Sequence, residues 1–186
     1  MFSSTGPDMK KVRNYLLLVL LLPAVVFAES AKDPYKFLFN ETWGDFPEEL
    51  ANAREQGKKG IMFFFEMDEC PYCHYMKKNV LNQPEIQAYF REHFLLFPVD
   101  IEGDIEIVNL KGKTTTQKDF AFREHRVRAT PVFMFYDLEG KRMHRHTGKT
   151  AGPDEFRLMG EYLVNGIYKD MSFVRYKRKV RKEKKK

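Results

Sequence analysis

The sequence predicts an α/β fold: a mixed central β-sheet with helices packed on both of its faces. Two uninterrupted apolar runs, residues 60–65 and 94–100, are typical of parallel strands that are buried on both sides. A third apolar run, residues 132–136, is followed by a turn at 137–140 and a strand at 141–147, which together indicate an antiparallel hairpin. Helical segments alternate with these runs, so we expect helices on both faces of the sheet.

The first half of the chain alternates helix and strand. Residues 47–56 predict an amphipathic helix, because their apolar positions have helical spacing and two glutamates stand in the first turn. A second helix is expected to begin at Cys70, shortly after the strand over 60–65. A third helix, residues 85–93, carries an apolar face and leads into the strand over 94–100.

The second half begins with an irregular stretch. Residues 103–118 show little periodicity, although 104–113 are consistent with a hairpin, and a short helix is expected over 119–125. After the hairpin described above, a final helix over 153–168 places four apolar side chains on one stripe. No internal repeat is visible, so these elements predict one domain.

The two cysteines of the chain lie together in the segment Cys70-Pro71-Tyr72-Cys73. Two thiols with this spacing, at the start of a helix that follows a buried strand, form a reversible dithiol/disulfide couple. The unpaired N–H groups of the helix N-terminus favour the thiolate form of the first cysteine. Cys70 is therefore the expected nucleophile and Cys73 the resolving thiol. The motif predicts a thiol-disulfide oxidoreductase.

Three other interpretations of the cysteine pair are weaker. A purely structural disulfide gains more stability from a long loop than from one this short. A zinc site needs four ligands, and His74 alone lies nearby, so we expect no metal and no cofactor beyond the redox-active disulfide. Two unrelated buried thiols would not flank an exposed Pro-Tyr pair.

Residues 1–28 predict a secretory signal peptide, with Met9 as the favoured initiator. A basic segment precedes an apolar run that ends in small residues, and cleavage is expected after Ala28. The apolar run is shorter than the ~20 residues that a membrane-spanning helix needs, and Pro23 interrupts it. We therefore expect a periplasmic or otherwise exported protein.

The rest of the chain divides into three predicted parts: an N-terminal linker over 29–44, a domain over 45–170 and a basic C-terminal tail over 171–186. The formal net charge is +6, and residues 175–186 alone hold nine basic residues and one acidic residue. Such a run of like charge predicts a disordered, solvated end. We expect no nucleic acid partner, and at most weak contact of the tail with an anionic membrane surface or an acidic partner.

The order of elements and motifs resembles the thioredoxin superfamily over residues 45–168. The resemblance rests on the apolar strand before the cysteines, the Cys-Pro-Tyr-Cys segment, Thr130-Pro131 before the next strand, and the turn at 137–140. The leader and the context of the cysteines resemble exported thioredoxin-like proteins, including the SoxW type and the C-terminal domain of DsbD. This implies a thioredoxin-like fold.

The resemblance also implies roles for residues outside the cysteine pair. It implies that Pro131 is preceded by a cis peptide bond and lies beside the sulfurs, and that the backbone of Thr130 hydrogen-bonds a bound peptide. Pro71 and Tyr72 are expected to line the same client-binding surface. The flanking residues Asp68, Glu69 and His74 are expected to modulate the reactivity of the cysteines.

Three departures from the family pattern limit how far the family's residue roles apply to this chain. Glu69 stands where ordinary thioredoxins have a tryptophan, and Phe64 stands where the family has a buried carboxylate, so the usual proton relay is absent or rebuilt. The one tryptophan, Trp43, lies outside the motif and is expected to serve packing rather than catalysis. Thr130 adjoins Pro131 directly and no Gly-Gly pair follows, which argues against a glutathione site.

The expected activity is reduction of disulfides in extracytoplasmic client proteins by a monomer. The acidic residues Glu66, Asp68 and Glu69 oppose the stabilisation of the Cys70 thiolate by the helix, and a protonated His74 would partly offset them. A reductant in an oxidising compartment needs a membrane thiol electron donor, of the DsbD or CcdA kind. Two alternatives remain: a disulfide oxidant or isomerase, and a redox-inactive module that binds client peptides.

Overall fold

A computed structural model describes residues 31–184, and the predicted signal peptide over 1–28 lies outside them. The strands are β1 (Gly60–Glu66), β2 (Phe94–Asp100), β3 (Glu106–Val108), β4 (Thr114–Thr116), β5 (Val132–Tyr136) and β6 (Arg142–Thr147). The α-helices are α1 (Pro34–Phe37), α2 (Phe46–Glu55), α3 (Pro71–Asn79), α4 (Pro84–His93), α5 (Gln117–Asp119), α6 (Pro153–Val164) and α7 (Phe173–Glu183). Helix α5 continues into a π-helical turn, Phe120–Glu124, and α6 is followed by a 3₁₀ turn, Ile167–Lys169.

The main sheet has four strands in the order β2-β1-β5-β6. Strand β1 runs parallel to β2 and antiparallel to β5, and β5 and β6 form the antiparallel hairpin. Strands β3 and β4 form a separate two-stranded hairpin. The predicted fold class, a mixed sheet with helices on both faces, is confirmed.

Alternate residues of β1 point to opposite faces of the sheet, and both faces are covered. Phe64 packs in a cluster with residues of α3, α4 and α6, whereas Phe63 and Phe65 pack against Phe46 of α2 and against Phe120. All seven residues of β1 are buried. This double burial explains the uninterrupted apolar run in the sequence.

Two predicted helices have different ends in the structure. The helix expected over 119–125 begins earlier, as α5, and then widens into the π-helical turn. The helix expected over 153–168 stops at Val164, because the chain turns at Gly166, which has a left-handed φ of 72°.

The described part of the predicted linker, residues 31–44, packs against the domain. Leu38 and Phe39 are buried at 0% and 6% exposure. The backbone N–H of Asn40 donates to the carbonyl oxygen of Leu96 at 2.8 Å, and the N–H of Leu96 donates to Oδ1 of Asn40 at 2.9 Å. The segment therefore covers the outer edge of β2, which would otherwise present unpaired backbone groups.

The expectation that Trp43 serves packing is wrong, since its side chain is 100% exposed. Phe46 occupies the adjoining core position instead, with its ring centroid 4.5 Å from that of Phe63 and 5.3 Å from that of Phe120. Trp43 lies in the loop before α2, where the chain has already left the core.

The disordered end predicted over 175–186 is wrong for residues 175–184, most of which lie in α7. Phe173 is 4% exposed, and its ring centroid lies 5.4 Å from that of Tyr162 on α6 and 5.7 Å from that of His144 on β6. Lys177 forms an ion pair with Glu155. The helix is stable despite its charge because one side of it is anchored on the domain.

No helix among residues 31–184 is long and apolar enough to span a bilayer.

Replacing Phe173 with Ala is expected to lower the free energy of unfolding by about 3–5 kcal/mol, as removal of a buried phenylalanine side chain generally does. Urea denaturation measures the change. The matched control is Val174→Ala on the same helix, where the side chain is 53% exposed and the expected change is within about 0.5 kcal/mol. Equal stability of the two variants would mean that α7 does not anchor through Phe173.

The stability of the domain is expected to fall as the pH decreases from about 6.5 to about 4. Burial and, to a lesser extent, the neighbouring His146 lower the pKa of His144 to about 4. In this range the unfolded chain binds a proton that the folded chain excludes, so acid favours unfolding. Urea denaturation at the two ends of this range measures the effect. His144→Gln should reduce the loss of stability relative to the wild type; an unchanged pH dependence would contradict the assignment.

Candidate active site

Cys70 and Cys73 are joined by a disulfide at the N-terminus of α3, with an S–S distance of 2.11 Å and a Cα–Cα distance of 5.2 Å. Cys70 is the N-cap residue of the helix, and its Sγ accepts a hydrogen bond from the N–H of Cys73 at 3.0 Å. Pro71 occupies the first helical position, where a missing N–H costs nothing. The helix N-terminus therefore directs a donor at Cys70 Sγ and favours negative charge there.

The two cysteines differ in accessibility. Cys73 is completely buried, whereas Cys70 is 4% exposed, less open than the sequence suggested for a residue at a helix start. Pro71 and Tyr72 between them are exposed, and Tyr72 reaches 56%. Of the two cysteines, Cys70 is therefore the less deeply buried.

The Thr130–Pro131 peptide bond is cis. Pro131 is buried and directly precedes β5, and its carbonyl oxygen accepts a hydrogen bond from Gly148 at 2.8 Å. The next residue, Val132, pairs with Phe65 near the end of β1, the strand from which the chain leads to the cysteines. The sheet register thus places Thr130 and Pro131 at the same end of the sheet as the disulfide.

Hydrogen bonds organise the acidic loop before the cysteines. Asp68 and Glu69 are exposed. The carbonyl oxygen of Asp68 accepts from the N–H of Cys70 at 3.0 Å and from the ring Nε2 of His74 at 2.9 Å. Because a carbonyl only accepts, Nε2 of His74 carries a proton in this arrangement. His74 thus ties the loop to the first turn of α3.

Glu66, at the end of β1, is buried and belongs to a polar cluster with Tyr35 and Lys77 rather than to the exposed acidic loop. It is 7% exposed, its Oε2 lies 2.7 Å from Nζ of Lys77, and its Oε1 accepts a hydrogen bond from the hydroxyl of Tyr35. Burial and this hydrogen bond raise the pKa of Tyr35. Lys77 compensates the charge of Glu66 locally, which leaves Asp68 and Glu69 as the acidic flank of the disulfide.

Phe64 stands where the family has a buried carboxylate, and the residues that surround it are apolar. Its ring stacks on those of Phe39 and Phe133, with centroid distances of 5.6 and 5.0 Å. The departure noted in the sequence is therefore a real change in the chemistry beneath the active site.

Sequence reasoning missed two features of this region. The first is the polar cluster around Glu66. Its signal in the sequence is a carboxylate at the end of an otherwise apolar strand, but its partner Tyr35 lies in the segment predicted as a linker. The second feature is Lys149, whose Nζ lies 5.6 Å from the ring centroid of Tyr72 and 4.3 Å from that of Tyr75. No sequence pattern connects Lys149 with the motif.

Among residues 31–184, no group of histidine, cysteine or acidic side chains is arranged to hold a metal ion.

Residues 46–163 match a family described as a thioredoxin-like domain. The disulfide bond reductase DsbH of Chlamydia pneumoniae is 25% identical over 107 residues, which cover 57% of this chain and 62% of DsbH. The match thus spans less than two thirds of DsbH.

Two solved structures share the fold. A thioredoxin-fold protein from Helicobacter pylori has a TM-score of 0.54 and 22% identity, covering 67% of this chain and 87% of that one. A thioredoxin from Thermus thermophilus has a TM-score of 0.53 and 24% identity, covering 69% and 88% respectively. The fold is that of thioredoxin-like proteins, and it places a disulfide at a helix N-terminus. The chain belongs to the thioredoxin-like family.

Replacing Lys77 with Met is expected to lower the free energy of unfolding by about 3 kcal/mol, because it leaves the buried carboxylate of Glu66 without its counter-charge. Urea denaturation measures the change. Lys78→Met is the matched control, since Lys78 is the exposed neighbour on the same helix. The double variant Glu66→Gln with Lys77→Met should recover part of the loss. Equal stability of the two lysine variants would show that the ion pair contributes little.

Proposed function

We propose that this protein reduces disulfides of extracytoplasmic client proteins through the Cys70–Cys73 couple. One observation carries the proposal: Cys70 is the N-cap residue of α3, so that Sγ of the less deeply buried cysteine receives a hydrogen bond from the N–H of Cys73. A thiolate at that position is stabilised and reachable, as the attacking group of a thiol-disulfide exchange must be. The name of the relative DsbH, a disulfide bond reductase, supports the same direction.

The proposed reaction is two successive exchanges. The Cys70 thiolate attacks one sulfur of the client disulfide, the client S–S bond breaks, and the other client sulfur leaves as a thiolate that takes up a proton. The thiol of Cys73 then loses its proton and attacks Cys70 Sγ, which releases the second client thiol. The client gains two electrons, and the protein is left with the Cys70–Cys73 disulfide.

The surface around the disulfide supports binding of an extended client segment. Tyr72 and Pro71 are exposed beside Cys70, and the half-buried Thr130 offers backbone groups at the same end of the sheet. We assign client binding to these residues and to Pro131. Asp68, Glu69 and His74 set the electrostatic surroundings of Cys70.

The proposed direction follows from opposed electrostatic effects. The N-terminus of α3 stabilises the Cys70 thiolate and thereby the reduced form, whereas the exposed carboxylates of Asp68 and Glu69 destabilise it. A strong oxidant needs a highly stabilised thiolate. The acidic flank instead favours a couple that gives electrons away, and regeneration then requires a dithiol donor, which we place in the membrane.

Export is the remaining part of the proposal, and it rests on the leader-like sequence over 1–28. We expect the protein purified from its host to begin after Ala28, since the basic segment, the apolar run and the small residues complete a cleavable leader. Mass spectrometry of the intact protein decides this. Recovery from the cytoplasmic fraction with an uncleaved N-terminus would contradict export without affecting the redox chemistry.

Replacing Cys73 with Ser is expected to trap clients on Cys70 as mixed disulfides, because the first exchange proceeds and the second cannot. Non-reducing electrophoresis of host extracts should show adducts that disappear on addition of dithiothreitol. Cys70→Ser, the matched control, should form no adducts through this route and should not reduce insulin disulfides. Insulin reduction at the wild-type rate by both variants would exclude these cysteines as the catalytic pair and would favour a redox-inactive binding module.

A further inference from the structure

Helix α7 presents a row of cations on its outer side. Arg175, Arg178, Lys179 and Lys182 are exposed, and they surround one shallow depression on the surface of the helix. Their spacing of three and four residues places them on the same side of the helix. We call these four residues the α7 basic face.

The inner side of α7 is occupied by contacts with the domain. Phe173 is buried, the ring of Tyr176 stacks on that of Tyr162 with a centroid distance of 5.7 Å, and Lys177 pairs with Glu155. These contacts fix the rotation of the helix about its axis. The basic face is therefore directed away from the domain and cannot be neutralised by folding back on it.

We propose that the α7 basic face binds the surface of a membrane that contains anionic phospholipids. The four side chains span eight residues, which is about 10 Å along a helix, so all of them can contact one flat surface at once. The outer side of a helix is convex and offers no groove for a peptide. Long lysine and arginine side chains on such a surface match a plane of diffuse negative charge.

Binding by this face is electrostatic and does not involve insertion of the helix. Interfacial helices that insert use an apolar side, whereas the apolar side of α7 already packs against Tyr162 and His144. Phe173 belongs to the same core cluster as Cys70 and Cys73, so α7 lies in the layer of helices that carries the disulfide. Docking would raise the concentration of the disulfide near membrane-bound thiol donors, but the binding itself needs no redox activity.

The test is partition of the full-length protein onto sedimented vesicles. We expect binding to vesicles of phosphatidylglycerol mixed with an equal part of phosphatidylcholine, and weak binding to phosphatidylcholine alone. The variant Arg175→Gln, Arg178→Gln, Lys179→Gln, Lys182→Gln should bind the anionic vesicles at least about tenfold more weakly. Salt near 1 M, where the Debye length is about 3 Å, should release the wild type.

A control variant separates the position of the charges from their number. Lys111→Gln, Lys113→Gln, Lys118→Gln, Lys141→Gln removes the same charge from exposed residues outside α7, and it should retain wild-type partition within about twofold. Both variants carry the same N-terminal segment, so any membrane affinity of that segment cancels. Circular dichroism and insulin reduction, expected to be unchanged in both, confirm that the domain is intact.

Three outcomes would overturn the proposal. The first is equal partition of the wild type and the α7 variant, and the second is an equal loss of binding in the α7 and control variants. The third is binding of the wild type to soluble polyglutamate without binding to anionic vesicles, which would point to an acidic protein as the partner. None of these outcomes depends on whether the protein is a reductase.

Discussion

The burial of every residue in β1 is the constraint on which the rest of the structure depends. A strand that is apolar on both sides must have a layer of helices on each face, and here α3, α4 and α6 cover one face while α2 covers the other. It must also have partners along both edges, which β2 and β5 supply. The chemistry follows from this arrangement, because the chain leaves the carboxyl end of β1 and four residues later reaches Cys70 at the start of α3. The same register sets Pro131 beside that end.

Features governed by local pattern were predictable from the sequence. The strands β2 and β5 have the predicted bounds, because an apolar run between turns is a local signal. The Cys-Pro-Tyr-Cys segment at a helix start has a chemical meaning that does not need the rest of the fold. The family resemblance drawn from these elements is confirmed by the match over residues 46–163.

Features governed by tertiary contacts were not predictable. Leu38 and Phe39 looked like part of a linker because nothing local shows that the edge of β2 needs a cover. The basic tail looked disordered because its charge outweighs its few apolar residues, yet Phe173 packs against Tyr162 and His144, and Tyr176 and Lys177 add contacts with the domain. The exposed position of Trp43 shows the converse: residue type alone does not place a side chain in the core.

The electrostatics of the site divide into two parts. Glu66 is buried and paired with Lys77, so it contributes to stability and to the fixing of α3 on β1. Asp68 and Glu69 are exposed beside Cys70, where they act against the helix N-terminus. Since ordinary thioredoxins carry a carboxylate at the position of Phe64, this chain must handle the Cys73 proton without that group. We propose that the helix N-terminus, the acidic residues Asp68 and Glu69, and His74 together set the stability of the Cys70 thiolate.

The reduction potential of the Cys70–Cys73 couple tests the proposed direction of electron flow most directly. Equilibration with dithiothreitol or glutathione buffers, followed by alkylation and mass analysis, measures it. We predict a potential between about −180 and −270 mV, the interval spanned by disulfide isomerase and thioredoxin. Asp68→Asn and Glu69→Gln should each move it to less negative values, since loss of a neighbouring negative charge stabilises the thiolate. A potential near −120 mV, unmoved by either substitution, would make the protein an oxidant and contradict the account.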